Sequence, residues 1–401
     1  MSIASLSTAP PSVSELLSRA REIAAIVRAR AEQTEAERRV AADVFEHMRE
    51  AEFFRILQPR AYGGFEYGFE VAMQVAIIVG AGCGSSGWVC SFAIMHQWLA
   101  ASFPAKAQDE FWADRGAIGM GSYAPVGKAV AVDGGYRISG LWSFTSGCDN
   151  AQWFFLGGMV PPADNAGPPK PGFFLIPCTD GRIDDNWHTM GLIGTGSKNI
   201  VATDLFVPAH RTVMFADLLT GSSPGSRVHN APLYRQPLLA VFPFCLIAPV
   251  LGMAEGALAE FLDMAKVRST RGAVAGGNNR MAEFGTIQQR VAEATASIEA
   301  VRLLMFRDLE QTYDTAACGG EATVDMRMRN RLDQAFCMRL LLQAVDALFT
   351  ATGGQGIFKD KLLQRVWRDA HAAATHVSLN WDAVSTMYGQ YVLGLEPKGQ
   401  Y

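Results

Sequence analysis

Hydrophobic positions in the first 115 residues recur at helical spacing. Residues 12–15 read Ser-Val-Ser-Glu, a capping box that marks a helix start, and apolar residues then repeat every three or four positions through Val27. A second amphipathic stretch covers residues 35–53. The small-residue segment at 78–100, "IVGAGCGSSGWVCSFAIMHQWLA", indicates close helix packing or backbone approach to a ligand. The pattern predicts an N-terminal helical domain over residues 1–115.

Apolar and polar residues alternate with period two across residues 116–214. The stretch "KAVAVDGGYRISGLWSF" reads as two strands joined by an Asp-Gly-Gly turn. Three further strands are predicted in "DNAQWFFLGGMV", "PGFFLIPC" and "NIVATDLFVP", and "VPPADNAGPPKPG" is a surface loop. This segment is predicted to be an inserted β domain, a barrel or a sandwich.

Hydrophobic residues again recur at helical spacing in residues 215–401. Long helices are predicted over residues 247–267, 284–313, 327–352 and 362–388, and four helices of this length form an up-and-down bundle. The most apolar run, residues 237–254, contains Pro243 and Pro249, which favours a buried helix over a membrane span. The predicted fold class is therefore mainly α with an inserted β domain.

Composition narrows the class of function. A net charge of −4, with 18% charged residues among 401, lacks the basic surplus that a nucleic-acid surface requires. The seven cysteines are scattered without Cys/His clusters, which indicates reduced thiols and no metal site. Since the N-terminus also lacks a signal-peptide pattern, a cytoplasmic protein is predicted.

Two histidines stand in an alanine-rich segment near the C-terminus. His371 and His376 are five residues apart, about 140° around a helix, whereas a helical zinc pair requires a spacing of four. Asp369 would share a helix face with His376 and could orient its imidazole. This pattern alone leaves two interpretations open, a packing histidine and a catalytic one.

The order of the three domains resembles the acyl-CoA dehydrogenase fold. "MGLIGTGSKNIVATDLFVPAHR" at 190–211 and "GGQGIFKDKLLQRVWRDAH" at 353–371 are similar to conserved stretches of that family. Those dehydrogenases abstract a proton with a glutamate shortly after the Arg-Asp pair. Here no glutamate occurs between Asp369 and Glu396, and residues 235–253 contain no acidic residue. The fold is therefore predicted without the dehydrogenase reaction.

A branch of this fold resembles the chain more closely. The stretches "LQPRAYGGFE", "GSSGWVCSFAIMHQW", "GGYRISGLWSFTSGCDNAQWFFLGGMV" and "WRDAHAAATH" are similar to two-component, flavin-dependent aromatic monooxygenases, such as p-hydroxyphenylacetate hydroxylase oxygenase components and hydroxylases of steroid-derived phenols. The resemblance implies reduced FMN or FADH2 delivered by a separate NAD(P)H:flavin reductase, and oxygen transfer through a flavin C4a-hydroperoxide. It also implies an aromatic, phenolic substrate and a homotetramer.

The resemblance further implies roles for individual residues. Ser146 would lie against flavin N5, and His376 would occupy the slot of the dehydrogenase glutamate and deprotonate the substrate hydroxyl. His96 would be a further active-site and substrate-binding group. Independently of the resemblance, the position of Arg235 at the entrance to the bundle predicts that it gates the site or holds an anionic substrate group. The implied flavin contacts are Ser122, Trp142, Ser146, Thr195, Ser197, Arg268, Gln288 and Gly354.

Other interpretations remain at this point. Trp142 and His96 are also typical of core packing, and Ser146 of a polar strand end. Oxygenation of nitrogen, sulfur or indole would need no phenol base. An acyl-CoA dehydrogenase with an unrecognised base and a non-enzymatic scaffold are the remaining alternatives.

Overall fold

The computed structural model describes residues 10–162, 164, 166–270 and 279–401. Helices form the N-terminal part, a sheet follows, and helices return to the C-terminus. The N-terminal helices are α1 Val13–Ala29, α2 Ala31–Glu37, α3 Ala42–Glu50, α4 Phe69–Gly82, α5 Gly84–Ala101 and α6 Ala105–Phe111. The predicted capping box is confirmed, because Ser12 and Glu15 cap each other's backbone N–H.

The predicted amphipathic stretch at 35–53 is not one helix. Helix α2 ends at Glu37, where Arg38 adopts a left-handed backbone with φ 55°, and α3 starts four residues later. The small-residue segment is also divided, because Cys83 is extended between α4 and α5. A Cβ on Gly87 would lie 2.5 Å from Gly80 Cα, so these small residues serve close helix packing.

The middle segment is one seven-stranded sheet in the order β5-β6-β2-β1-β3-β4-β7. All neighbours pair antiparallel except β1 and β3, which are parallel. The first and last of these strands lie between Phe111, where α6 ends, and Phe215, where the next helix begins. The strands are β1 Gly119–Val132, β2 Gly135–Thr145, β3 Trp153–Val160, β4 Lys170–Pro177, β5 Arg182–Asp184, β6 Lys198–Pro208 and β7 Thr212–Met214.

The C-terminal part contains the bundle. Its elements are α7 Phe215–Thr220, α8 Leu238–Val241, α9 Phe244–Val267, the short strands β8 Ser269–Thr270 and β9 Asn279–Arg280, α10 Gly285–Ala317, α11 Val324–Ala351, α12 Leu362–Ala374 and α13 Trp381–Val392. The segment Leu238–Val267 is apolar and long enough to cross a bilayer, but 89% of its most apolar window is buried inside the fold. It packs against α4 and α5 as a core element.

The last predicted helix, 362–388, is wrong as a continuous element. Helix α12 ends at Ala374, a short 3₁₀ turn covers Val377–Leu379, and α13 begins at Trp381. Asn380 caps α13, since its side-chain oxygen accepts a hydrogen bond from the Ala383 N–H at 2.9 Å. His376 therefore lies in a turn and shares no helix face with Asp369.

Candidate active site

One face of the buried helix α5 carries a row of rings. Trp88, Phe92 and His96 follow at intervals of four residues, with centroid distances of 5.5 and 5.6 Å between neighbours. Phe242, between α8 and α9, lies 6.3 Å from Phe92 and 6.0 Å from His96, and Tyr123 of β1 lies 5.0 Å from Phe242. We call these five residues the aromatic wall.

The aromatic wall contains polar atoms without partners. His96 is 1% exposed, and neither of its ring nitrogens makes a hydrogen bond of standard geometry to a described residue, although the Gly119 backbone lies close enough to act on the ring. The Tyr123 hydroxyl is also buried and has no hydrogen-bond partner among the described residues. Burial lowers the pKa of His96 to about 3, partly opposed by the nearby Gly119 backbone. Because buried polar groups are nearly always hydrogen-bonded, these atoms indicate a ligand that carries polar groups of its own.

A chain of hydroxyl groups lies beside the aromatic wall. The Trp88 indole N–H donates to Ser146 Oγ at 3.2 Å, Ser146 Oγ lies 2.7 Å from Ser197 Oγ, and Ser197 Oγ lies 2.6 Å from Thr195 Oγ1. Thr195 donates to the Leu192 carbonyl at 2.8 Å. We call Ser146, Ser197 and Thr195 the hydroxyl chain. The structure thus brings three of the predicted flavin contacts together.

The hydroxyl chain has a fixed direction. A carbonyl oxygen only accepts, so the Thr195 hydroxyl uses its one proton in the hydrogen bond to Leu192. Ser197 must therefore donate to Thr195. Ser146 must in turn donate to Ser197. Ser146 also accepts from Trp88, which leaves its oxygen one free lone pair. Ser146 therefore offers an acceptor, and no proton, to a further partner.

His376 faces the start of the same row of rings. Its centroid is 6.4 Å from that of Trp88, and its Nδ1 accepts a hydrogen bond from the Ser378 N–H at 3.2 Å. The neutral imidazole then carries its proton on Nε2, so the outer nitrogen donates. Burial, aided by the charge of Arg331, lowers the pKa of His376 to about 4. This tautomer does not suit the predicted role of proton acceptor.

Asp369 does not orient His376, so that prediction is wrong. The Asp369 carboxylate is 3% exposed and accepts a hydrogen bond from the Leu192 N–H at 2.6 Å. Burial raises the pKa of this carboxyl group to about 7. Asp369 therefore anchors the loop from which the hydroxyl chain begins.

Two other predicted site residues lie apart from the aromatic wall. Trp142 is fully buried against Gly127 and Gly140, and its indole N–H donates to the Gly157 carbonyl at 2.6 Å, so the ring presents no face to a flavin. Arg235 is exposed and donates to the Ala316 carbonyl at 2.9 Å, so it is not part of the aromatic wall.

The remaining predicted flavin contacts lie in two places. Ser122 is buried on β1, next to Tyr123 of the aromatic wall, and donates to the Ser143 carbonyl at 2.7 Å. Arg268 follows α9 and donates to the Thr352 carbonyl at 2.7 Å, immediately before the exposed turn that contains Gly354. Gln288 lies exposed in the first turn of α10.

Sequence reasoning missed Arg331 of α11. This side chain is 5% exposed and donates to the Ser378 carbonyl at 2.9 Å and to Gln334 Oε1 at 2.6 Å. The surrounding sequence, "RMRNRLDQAF", resembles a solvated helix face, so the pattern carried no signal. The spacing of Trp88, Phe92 and His96, in contrast, was visible in the sequence.

The chain is similar to known proteins along most of its length. Residues 11–119 match the family model of the acyl-CoA dehydrogenase N-terminal domain, and residues 244–381 match that of the C-terminal domain. The chain is 47% identical over 392 residues to the FADH(2)-dependent resorcinol hydroxylase, oxygenase component, of Rhizobium sp. (strain MTP-10005), covering 96% of both chains. It is 35% identical to the flavin-dependent monooxygenase oxygenase subunit HsaA of Rhodococcus jostii (strain RHA1), covering 92% of this chain and 96% of that one.

A solved structure shows that the chain shares its fold with a related hydroxylase. The crystal structure of 3-HSA hydroxylase from Rhodococcus sp. RHA1 superposes with a TM-score of 0.91 at 34% identity, covering 96% of this chain and 98% of that one. The predicted fold class and family are confirmed. The chain belongs to the flavin-dependent monooxygenases built on the acyl-CoA dehydrogenase fold, and it is an oxygenase component of that family.

Proposed function

We propose that the protein hydroxylates a phenol, using molecular oxygen and reduced flavin from a separate reductase. The observation that carries this proposal is His96, a buried neutral imidazole with two unpaired nitrogens in the aromatic wall. A phenol matches this environment, because its ring packs against aromatic side chains while its hydroxyl donates to a ring nitrogen. The relative named as a resorcinol hydroxylase supports the same class of substrate.

His96 is assigned the role of proton acceptor. A phenol is a better acceptor of oxygen once its hydroxyl begins to lose its proton, and a base within hydrogen-bond reach promotes that loss. Burial keeps His96 unprotonated at neutral pH, and the negative charge that develops on the bound phenol raises the proton affinity of the imidazole as the proton moves. The proton moves from the phenol oxygen to an imidazole nitrogen, and the resulting imidazolium faces the phenolate.

His376 is assigned the role of a hydrogen-bond donor. Its Nδ1 is already occupied by the Ser378 N–H, so Nε2–H is free to donate to an oxygen that gains negative charge. This replaces the sequence-based interpretation of His376 as the base. The two histidines then act in opposite senses, His96 accepting a proton and His376 donating a hydrogen bond.

The hydroxyl chain fits a reduced flavin. Ser146 offers a lone pair to a ring N–H such as N5–H, and Ser197 and Thr195 hold the Ser146 hydroxyl in that orientation. When bound, reduced FMN or FADH2 supplies the electrons that activate oxygen. We assign Ser122 to the same region, and we assign Arg268, Gln288 and Gly354 to the flavin phosphate of a neighbouring subunit.

Product analysis tests the proposed function. The protein is mixed anaerobically with chemically reduced FAD or FMN and resorcinol, then exposed to ¹⁸O₂, and the products are analysed by mass spectrometry. We expect a hydroxylated resorcinol with one ¹⁸O atom. Formation of hydrogen peroxide without any hydroxylated product, for every phenol tested, would contradict the proposal. Oxygenation of indole in a parallel reaction would instead support the indole alternative.

Ser146→Ala is expected to increase the share of oxygen that leaves as hydrogen peroxide. Loss of one hydrogen bond costs about 0.5–1.5 kcal/mol, which corresponds to as much as about tenfold in the ratio of peroxide to product. The ratio is measured by peroxidase assay and chromatography on the same sample. Ser139→Ala, in an exposed position of β2, is the control. An unchanged ratio in Ser146→Ala would show that Ser146 does not touch the flavin.

We also propose that the protein is a cytoplasmic homotetramer. Apolar side chains exposed on the bundle support assembly, with Leu303 at 70% and Leu393 at 77% exposure. Analytical ultracentrifugation is expected to give about four times the 43.4 kDa chain mass. A monomer that retains full hydroxylase activity would contradict both the assembly and the flavin-phosphate assignment across subunits.

A further inference from the structure

A carboxylate of α12 is buried without a salt bridge. Asp369 is almost fully enclosed, and no described residue forms an ion pair with it. Arg365 and Arg368 of the same helix lie near enough to lower its pKa, but both form ion pairs with Glu35 of α2 instead. Since a buried charge without an ion pair is costly, a position that retains one is a candidate for a functional role.

Asp369 holds a residue in an unfavourable backbone conformation. The Leu192 N–H donates to its carboxylate at 2.6 Å, and Leu192 is left-handed, with φ 50° and ψ 32°, a region that side chains with a Cβ avoid. A Cβ on the preceding Gly191 would lie 2.1 Å from the Arg368 carbonyl oxygen, so this loop lies directly against α12. The carboxylate therefore helps to keep Leu192 in a conformation that its own sequence disfavours.

Leu192 is also the residue at which the hydroxyl chain ends. Its carbonyl accepts from the Thr195 hydroxyl at 2.8 Å and from the Trp187 indole N–H at 3.1 Å. Because Thr195 uses its proton in this bond, the remaining hydroxyls donate towards it, and Ser146 is left with a lone pair. The orientation of Ser146 thus depends on the Leu192 backbone, which Asp369 holds.

We propose that Asp369 is a positioning residue whose ionised carboxylate keeps the hydroxyl chain aligned, so that protonation of Asp369 weakens the binding of reduced flavin by Ser146. This inference rests on the proposed assignment of the hydroxyl chain to the flavin. An ionised carboxylate accepts a hydrogen bond more strongly than the neutral acid does. When the proton binds, the Leu192 N–H loses its charged acceptor, and the Leu192 carbonyl directs the chain less firmly.

The surroundings of Asp369 place this change near neutral pH. Burial raises its pKa to about 7, since it outweighs the effect of the nearby arginines. The ionisable groups that act on the carboxylate come from three parts of the fold. They are Arg365 and Arg368 of α12, Glu35 of α2, and the Cys83 thiol between α4 and α5. The side chain that α9 places beside the carboxylate, at Gly84, is the apolar Met253.

Binding of reduced FMN to the flavin-free protein tests this inference. Kd is measured anaerobically between pH 6 and 8.5 for wild type, Asp369→Asn, Ser146→Ala and the double variant. Asparagine keeps an acceptor for the Leu192 N–H but carries no charge and does not titrate. The control is Asp346→Asn, which changes a half-exposed carboxylate of α11 that accepts from the Trp367 indole of α12 at 2.8 Å.

The fluorescence of Trp187 reports the loop without any flavin. Its indole N–H is bonded to the Leu192 carbonyl, so a change in that carbonyl alters its emission. Trp187→Phe identifies the share of the total emission that belongs to this residue. The emission is followed over the same pH range in wild type and Asp369→Asn.

At pH 8.5, wild type is expected to bind reduced FMN about two- to tenfold more tightly than Asp369→Asn, the range for one hydrogen bond. At pH 6 the two proteins should bind it nearly equally. Titration of the flavin itself affects both proteins, so the ratio of their Kd values isolates Asp369. In the Ser146→Ala background, Asp369→Asn should have no further effect. Trp187 emission should change with pH in wild type and not in Asp369→Asn, and Asp346→Asn should behave as wild type.

Several results would overturn the inference. A ratio of Kd values that does not change with pH would remove the role of the charge, and so would pH-independent Trp187 emission in wild type. An equal effect of Asp369→Asn with and without Ser146 would indicate a general structural role. Failure of wild type to hydroxylate any phenol, with the pH-dependent ratio of Kd values intact, would contradict only the proposed function.

Discussion

Replacing His96 with alanine is expected to lower the rate of phenol hydroxylation by about 10²–10⁴-fold, the usual effect of losing a general base. His96 makes no hydrogen bond of standard geometry within the described protein, and the polar group that acts on it is the Gly119 backbone, so its removal opens space at a small cost in polar contacts. Flavin binding and oxygen consumption should change far less, and the oxygen should leave as hydrogen peroxide. The measurement is the ratio of hydroxylated product to peroxide in single turnovers with saturating resorcinol.

His371→Ala is the matched control for His96→Ala. His371 is also a histidine on a helix of the fold, but its Nδ1 lies 2.8 Å from the Trp367 carbonyl and its ring packs on Trp367. Its replacement should leave the product ratio near that of wild type. Efficient product formation by His96→Ala on the true substrate would show that the base lies elsewhere.

Two replacements of His376 are expected to separate its inner and outer nitrogens. Asparagine places an oxygen near the Nδ1 position, where it still accepts from the Ser378 N–H, but it lacks the outer donor. Glutamine places an N–H₂ group near the Nε2 position and keeps that donor. If His376 stabilises a developing negative charge, His376→Asn should lose about 10–100-fold in hydroxylation, as expected for a hydrogen bond to a charged group, and His376→Gln should lose less.

The same pair of variants distinguishes the base from the donor. A base must accept a proton, which neither amide does at neutral pH, so both variants would lose activity equally if His376 deprotonated the phenol. Rates are compared by stopped-flow mixing, and circular dichroism checks that each variant keeps the overall helical fold. Equal losses would restore the original assignment of His376 as base.

The pKa values of the two histidines set the pH dependence. The sequence alone predicts that hydroxylation falls at mildly acidic pH as His376 is protonated. In the structure its pKa is lowered to about 4 and that of His96 to about 3, so neither imidazole is charged above about pH 5. A histidine with a lowered pKa binds fewer protons when folded. Stability should therefore fall as the pH is lowered from about 6.5, the unfolded value, towards about 4.

Much of the fold was predictable because hydrophobic residues repeat along the sequence with clear helical and strand spacings. The alternation around the Asp-Gly-Gly turn predicted β1 and β2, which pair as expected, and the helical period predicted the bundle. The break after Ala374 was missed because neither glycine nor proline marks it. Asn380 followed by Asp382 is a helix-start signal, but it was weaker than the apolar spacing on either side.

The site was less predictable, because burial is a tertiary property. Trp142 lies in a strand, where successive side chains point to opposite faces of the sheet. The sequence does not show which of these faces is accessible to a ligand. Arg331 sits among other charged residues, and only the folding of Ser378 against α11 encloses it. The role of His376 depends on a hydrogen bond from the residue two positions later, which requires the turn that the predicted helix excluded.

The fixed direction of the hydroxyl chain has a consequence for the exchange of flavin with the reductase. Ser146 presents only a lone pair. If Ser146 meets flavin N5, as proposed, it attracts an N5 that bears hydrogen, as in the reduced ring, and repels the bare N5 of the oxidised ring. The orientation of one hydroxyl group would then let the protein distinguish the two oxidation states of the flavin. It would bind reduced flavin from the reductase and release oxidised flavin after the reaction. Ser197→Ala frees the Ser146 proton to point outward, and this variant should retain oxidised flavin that the wild type lets go.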